Sequence, residues 1–375
     1  MKKALIGVFF AVIVLLSSLT LILPKRDFSE MENRPLAQAP KLSVDHIMDQ
    51  SFMKDTEKFL ADQTVFRDEF VAARTRLEMA AGKREINGVF IGDTMLMGNT
   101  PKPDSQVTQG NCAAINAFAE NHAGHVETTV MLIPTAAAFY PNEAPALAEL
   151  TDQATYIQNF YKALKGVGTV DTYTPLAAAS SEYIFYRTDH HWTSYGAYVG
   201  YNALSKNLGY KAVSRDMFNI EHVSHNFLGT LYSKVLYGEQ WEDGIDLYSY
   251  VPGDTVTDVV KCAGDTTATY SSLFFRDSLE EKNQYEVFLG RNTGVVHIHT
   301  NVNNGKKLLV FKDSFANSMM QFLSLHYEEI TLVDLRYLTK PLEEYLYVED
   351  YQQALFLYNV GNFTDDASLT KVARY

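Results

Sequence analysis

After Lys2 and Lys3 the chain runs from Ala4 to Leu23 without a charge, interrupted only by Gly7, Ser17, Ser18 and Thr20. A helix of about twenty residues covers about 30 Å at 1.5 Å per residue, the thickness of a bilayer's hydrocarbon, so this run predicts an N-terminal transmembrane helix. Leu19 to Pro24 is bulky where a signal-peptide cleavage site needs small residues. We therefore read the run as an uncleaved anchor; cleavage would instead leave the protein secreted. Lys25 and Arg26 beyond the span blunt the positive-inside signal, and no second span follows, which places the rest of the chain outside the cytoplasm.

Beyond the apolar run the pattern changes three times. Pro24 to about Leu42 is polar and proline-punctuated, which predicts a stem. Residues 46–81 carry Ile47, Phe52, Phe59, Phe66, Phe70 and Leu77 at helical intervals, predicting one or two amphipathic helices, and Gly88 to Gly98 reads as a hairpin turning at Gly92-Asp93. From about residue 110 helical and strand periods alternate. Helices are predicted over 111–123, 152–164, 194–208 and 341–353, and strands over 128–133, 168–171, 295–299, 330–334 and 354–360. Residues 306–323 read as strand, turn and helix. Residues 210–300 read as a mostly β excursion, including 227–235 and 248–251, that walls a cleft. The alternation predicts an α/β fold: a mainly parallel sheet, joined by right-handed crossovers, with helices on both faces. Thr135, Ser314, Asp334 and Asn359 fall at strand ends, where such sheets bind ligands.

Two of these segments carry chemistry. Residues 187–196 read Arg-Thr-Asp-His-His-Trp-Thr-Ser-Tyr-Gly. If this stretch is extended, Asp189 and His191 share a face and His190 points the other way, so a carboxylate sits beside one imidazole, able to hold its tautomer and raise its basicity. A polar loop whose histidines cap or pack is the structural alternative. Ser314 stands at the turn between a strand and a helix N-terminus, where free backbone N–H groups can stabilise an oxyanion. The same serine could be an N-cap. The two segments together favour a nucleophile and its base.

The Asp-His-His-Trp segment resembles the signature of the DHHW family, which is similar to the SGNH-like O-acetyltransferases of bacterial alginate and exopolysaccharide acetylation. The resemblance extends over residues 28–34, 62–67, 88–98, Phe227-Leu228-Gly229-Thr230-Leu231, Lys312-Asp313-Ser314-Phe315-Ala316-Asn317 and 333–337. It implies an SGNH-hydrolase-like three-layer fold over 86–375, with the β-rich region at about 210–300 inserted, after an anchor or signal at 1–26 and a stem with amphipathic helices at 27–85. It also implies Ser314 as nucleophile, His191 as general base and Asp189 as the acid that orients it. An extracytoplasmic O-acyltransferase or esterase is expected, most specifically O-acetyl, acting on cell-surface or secreted polysaccharide without a cofactor, its acyl donor supplied by a membrane-bound O-acyltransferase. Two positions depart from the pattern. Lys312 replaces the glycine of the usual Gly-Asp-Ser, and in place of a Gly-x-Asn-Asp block there is only Gly290-Arg291-Asn292, which leaves Gly290 and Asn292 as oxyanion candidates.

Composition narrows the partners. A net charge of −13 without a long Lys/Arg cluster argues against nucleic acid or an anionic membrane surface as a binding partner. Cys112 and Cys262 are the two cysteines; an exported chain can pair them, but their separation is not that of a metal site. His297 and His299 form a second period-2 pair that, with Asp189, His190 and His191, would serve a metal-dependent hydrolase; without the helix spacing of a His-Glu-x-x-His site we assign no metal ligands. A non-catalytic polysaccharide-binding or scaffold subunit is the other alternative. Arg187, Trp192 and Tyr195, with Tyr183 and Tyr186, flank the Asp-His pair and are the candidates for lining a substrate site.

Overall fold

The computed structural model describes residues 2–100 and 102–375. Met1, within the predicted anchor, lies outside the described residues. Helix α1 (Lys2–Ile22) is solvent-facing over nearly its whole length and is, among the described residues, the one helix long and apolar enough to cross a membrane, which fits a signal anchor or a signal peptide.

The predicted stem is not a free linker. Phe28–Ser29 and Arg34–Pro35 pair as a small ribbon, and Arg34 forks onto the buried Asp62 carboxylate at 2.9 and 2.6 Å. Glu32 pairs with Arg67, and Arg26 with Asp68 at 3.0 Å. The Arg34 fork, against the cost of burial, holds the Asp62 carboxyl down at about 2. These ion pairs fasten the stem to helices α2 (Ser51–Gln63) and α3 (Arg67–Ala80), so two segments far apart in sequence form one unit.

The body is built on one eight-stranded sheet. In chain order its strands are β1 (Glu127–Ile133), β2 (Gly168–Thr169), β3 (Val256–Ala263), β4 (Thr266–Tyr270), β5 (Val295–Thr300), β6 (Lys307–Lys312), β7 (Glu329–Val333) and β8 (Gln353–Asn359). In space the order is β4-β3-β5-β7-β6-β8-β1-β2. The run from β7 to β2 is parallel, while β5, β3 and β4 add antiparallel neighbours at one edge. Three strands of the predicted β excursion therefore complete the main sheet, and two more, 218–227 and 243–250, form a separate ribbon.

The central strands are apolar on both faces, as buried parallel strands must be. Leu308, Val310, Leu355 and Leu357 join a core with Trp192, Tyr201 and Phe315. Their alternates Leu309, Phe311, Phe356 and Tyr358 join another with Phe118, Ile115 and Phe160. Helix α6 (Ser194–Leu208) contributes to the first layer; α4 (Ser105–Asn121) and α5 (Gln153–Ala163) contribute to the second. Helix α4 begins six residues ahead of the predicted start because Asp104 caps it, accepting from the Gln106 and Val107 N–H groups.

Two further expectations are corrected. The helix predicted over 341–353 is a pair of short 3-10 turns at 342–344 and 348–350. Leu346 and Val348 both go inside while Tyr347 between them is 67% exposed, an alternation of period two that a helix cannot supply. In the predicted excursion, residues 230–235 are not strand but a helix, α7 (Thr230–Val235). Cys112 on α4 and Cys262 on β3 are both free thiols.

Candidate active site

The carboxyl ends of β1, β6, β7 and β8 lie on one edge of the sheet, and β6 is central, with β7 on one side and β8 on the other. The chain leaving β6 turns at once into a 3-10 segment, 314–319, capped by its own Asp313. The Asp313 carboxylate accepts from Phe315 N–H at 2.9 Å, Asn359 N–H at 2.8 Å and the Asn362 amide at 2.9 Å. Burial raises its pKa against the pull of these donors. Asp313 thus pins the turn to the end of β8, and Ser314 is held, half-buried, over the sheet edge.

On the opposite wall the chain bends between the bridged residues Phe185 and Trp192. The bend is tied down by the buried Asp243, whose carboxylate accepts from the Arg187 N–H at 2.7 Å, the Thr188 N–H at 2.8 Å, the Thr188 hydroxyl at 2.6 Å and the Tyr183 hydroxyl. Burial outweighs those donors and lifts the Asp243 pKa to about 6. Asp189 is buried in the bend. One of its oxygens accepts from the His191 N–H at 3.0 Å and faces His191 Nδ1 at 2.6 Å; the other accepts from the Thr230 N–H at 2.7 Å and the Thr230 hydroxyl at 2.9 Å. Burial opposes the Asp189 charge, but the adjacent imidazoles and these donors prevail and hold the carboxyl well below its usual range.

His191 Nε2 lies 2.7 Å from Ser314 Oγ. With Nδ1 against a carboxylate the imidazole carries its proton there, which leaves Nε2 to accept from the serine hydroxyl. The Tyr285 ring stacks on the imidazole, centroids 3.7 Å apart and planes 8° from parallel, and its hydroxyl donates to the Ser314 carbonyl at 3.0 Å. One side chain thereby fixes the plane of the histidine and the backbone of the serine.

The structure brings Ser314, His191 and Asp189 together, but not by strand alternation. Residues 187–191 form a bend, and the Asp189–His191 contact is an Asx-type turn in which the carboxylate caps the N–H two residues on. His190 accordingly does not point away: its ring lies 3.9 Å from that of His191, and its Nδ1 faces the Thr230 hydroxyl at 2.7 Å. Burial, and after it the neighbouring His191, lower the His190 pKa.

A family model described as DHHW protein matches residues 102–333, more than half of the chain. The chain belongs to the DHHW family. No curated protein matches it significantly. Among solved structures it is similar to a DHHW family protein from Eubacterium siraeum, with 25% identity and a TM-score of 0.66 over 76% of this chain and 96% of that one. It is also similar to Bacillus cereus PatB1, solved with a sulfonyl adduct (19% identity, TM-score 0.64) and without it (20%, 0.63), in each case over 75% of this chain and 98% of PatB1.

Within the DHHW signature only His191 bonds the Ser314 hydroxyl, with Asp189 behind it on Nδ1. Trp192 is fully buried beneath the serine turn, its indole N–H 3.0 Å from both the Phe315 carbonyl and the Ser318 hydroxyl. Gly200 on α6 lies where a Cβ would come within 2.8 Å of the Trp192 ring, which explains a glycine inside a helix. Arg187 uses its N–H on Asp243 and lays its guanidinium over Tyr183, 5.4 Å from the ring centroid; Tyr183 itself donates to Asp243. Tyr186 is wholly buried against Phe227 and Tyr285. Tyr195 sits under Arg215 at 4.7 Å. Of the oxyanion candidates, Gly290 packs against Phe275 and Lys261, and Asn292 accepts from the buried Lys312 ammonium at 3.1 Å. Both are drawn to Lys261 and Lys312 rather than to Ser314. Lys312 also donates to Asn317 at 2.8 Å and faces Asp334 at 3.9 Å, so the residue that replaces the motif glycine is paired under the sheet edge. His297 and His299 face Thr331 and Asp258 at 2.9 and 2.7 Å on β5. Among the described residues the ligand atoms that converge within 4.8 Å belong to Asp189, His190 and His191 alone, so the β5 pair does not join them.

Asp243, Thr230 and Tyr285 hold this arrangement without being singled out by the sequence. Thr230 falls in the 227–231 match, but nothing local marks Asp243 or Tyr285. A cavity of about 340 Å³ opens beside Asp189 and His190, lined among others by Thr135, Thr230, Lys234, Asn359 and Asn362. Gly229 closes the wall: a Cβ there would lie 2.3 Å from Asp189 Cβ. Gly229→Ala is therefore expected to push the Asp189 bend away from Thr230 and cost about 1–3 kcal/mol of overpacking, read as a lowered midpoint in thermal denaturation. An unchanged midpoint would show that the bend yields freely.

Proposed function

We propose that the protein is an extracytoplasmic O-acyltransferase or esterase of the SGNH-like type, acting through a Ser314–His191–Asp189 triad on hydroxyl groups of a cell-surface or secreted polysaccharide. The observation that carries this reading is the continuous line from Asp189 to His191 at 2.6 Å and from His191 to Ser314 at 2.7 Å, at the carboxyl end of a central parallel strand. In the first half-reaction Ser314 Oγ attacks an acyl carbonyl as its proton passes to His191 Nε2, and the departing alcohol takes that proton when the tetrahedral adduct collapses. In the second, an acceptor hydroxyl or water gives its proton to His191 and attacks the acyl-serine, and Ser314 recovers the proton on leaving. Asp189 stays ionised throughout and stabilises the imidazolium. The Phe315 N–H is taken by Asp313, so the Ser314 N–H at the start of the turn is the backbone donor assigned to the oxyanion.

The acetyl group, the polysaccharide acceptor and a donor delivered through a membrane-bound O-acyltransferase follow from the family resemblance, and α1, long and apolar enough to cross a membrane, is consistent with such a donor. No cofactor is needed for these steps. The test is covalent capture. The full chain treated with a fluorophosphonate or sulfonyl fluoride is expected to gain one adduct, mapped by peptide mass to Ser314, and to keep its reactivity in a strong chelator. Labelling that survives Ser314→Ala would overturn the nucleophile; esterase activity lost to a chelator and restored by zinc would favour a metal-dependent hydrolase.

A further inference from the structure

Helix α3 is apolar on two opposite faces, and the fold uses only one of them. At about 100° per residue, Phe70 and Leu77 fall within about 20° of one another, with Phe66 at the N-cap just before them, while Val71, Ala72, Thr75 and Met79 centre on the other side. The second set packs on the body: Val71, Ala72 and Met79 join the core around Leu231 and Val235, and the Thr75 hydroxyl donates to the Val235 carbonyl at 2.6 Å. The first set is left outside, with Phe66 55%, Phe70 50% and Leu77 71% exposed. Glu69 and Arg76 flank this stripe on one side and Arg74 on the other, as on a helix lying in a membrane surface.

The position of α1 indicates what covers the stripe. The Val65 N–H, next to Phe66, donates to the Thr20 hydroxyl of α1 at 3.2 Å. Six residues after Thr20, beyond the end of α1, the Arg26 N–H donates to Gln63 at 3.0 Å, and Gln63 donates back to the Arg26 carbonyl at 2.8 Å. Thr20 lies three residues inside the end of the apolar run at Leu23, about 4.5 Å at helical rise. If α1 is in a bilayer, the bend between α2 and α3 is at the depth where acyl chains meet headgroups, a level suited to Phe side chains. Lys25 donates to the Thr20 carbonyl at the end of the same run.

We infer that the outer face of α3 is a membrane-docking surface: Phe66, Phe70 and Leu77 rest in the interfacial layer of the same bilayer that holds α1. The inference rests on the membrane reading of α1 and adds a second, peripheral contact to it. It also has a consequence for the site. Helix α7, against which α3 packs, begins at Thr230, the residue that holds Asp189. Bilayer, α3, α7 and triad are then joined by contiguous packing, and the site faces its substrates from a fixed setting beside the membrane.

The test uses the full chain in vesicles of phosphatidylcholine and phosphatidylglycerol. Cys112 and Cys262 are replaced by serine, and single spin labels are placed at Phe66→Cys, Phe70→Cys and Leu77→Cys, with Val14→Cys in α1 and Lys211→Cys on the body as references. The three α3 labels are expected to collide with oxygen in preference to a water-soluble nickel chelate, as Val14→Cys does and Lys211→Cys does not. Nickel access at all three α3 sites with Val14→Cys in lipid would overturn the inference and leave the anchor standing; nickel access at Val14→Cys would overturn both. Shielding of the α3 labels from both reagents would put a protein on this face, and overturn the lipid assignment. The unsubstituted chain gives an independent result: a photoreactive diazirine lipid is expected to form adducts on peptides spanning residues 66–77 as well as α1, and adducts on α1 alone would overturn the inference.

Discussion

Ser314→Ala is expected to reduce hydrolysis of para-nitrophenyl acetate to background, a loss on the order of a million-fold where the wild-type rate allows it to be measured, because the serine–histidine pair acts as a unit. The hydroxyl donates to His191 at 2.7 Å, and its removal takes away the nucleophile while leaving the turn intact. The turn is held by Asp313, Tyr285 and Trp192 through backbone groups, so the variant should melt with the wild type. More than about a tenth of the wild-type rate in Ser314→Ala would end the assignment.

The second large effect separates the adjacent histidines. His191→Ala is expected to abolish turnover as fully as Ser314→Ala, with the double variant no worse than either single one. His190→Ala should leave measurable turnover, since His190 bonds the Thr230 hydroxyl and packs at a tilt against His191 without reaching Ser314. Its effect should fall on stability, by about 1 kcal/mol. Because Thr230 also donates to Asp189, part of any loss in His190→Ala should be reproduced by Thr230→Val, where the hydroxyl is absent and the backbone N–H remains. Equal inactivation by the two histidine variants, each with an intact fold, would reject the triad as drawn.

The strands were legible because period two on two apolar faces leaves few alternatives. The runs at Leu308–Phe311, Leu355–Tyr358 and Val130–Ile133 are buried on both sides, and each was marked by length and flanking polar residues. The 341–353 segment failed by the same rule. Its spacing of apolar residues predicts a helix, but Leu346 and Val348 are drawn inward by a core that only the assembled sheet provides.

For the site, sequence alone determined which chemical groups are present: a carboxylate and two imidazoles in one short stretch, and a serine at the end of a buried strand. Those are local facts, written in neighbouring residues. Tertiary structure decided which imidazole lies between the carboxylate and the serine, and how. Asp189 meets His191 through a bend enforced by Asp243, 54 positions after it, and Thr230 completes the carboxylate from a third segment. Tyr285 comes from a fourth to set the ring plane. The face that α3 turns outward belongs to the same class, since one helix with apolar residues on two sides does not say which side meets the core. Contacts of this kind join residues with no fixed separation along the chain, so no period or motif encodes them; only packing, which fixes where each segment ends up, brings their polar groups within bonding distance.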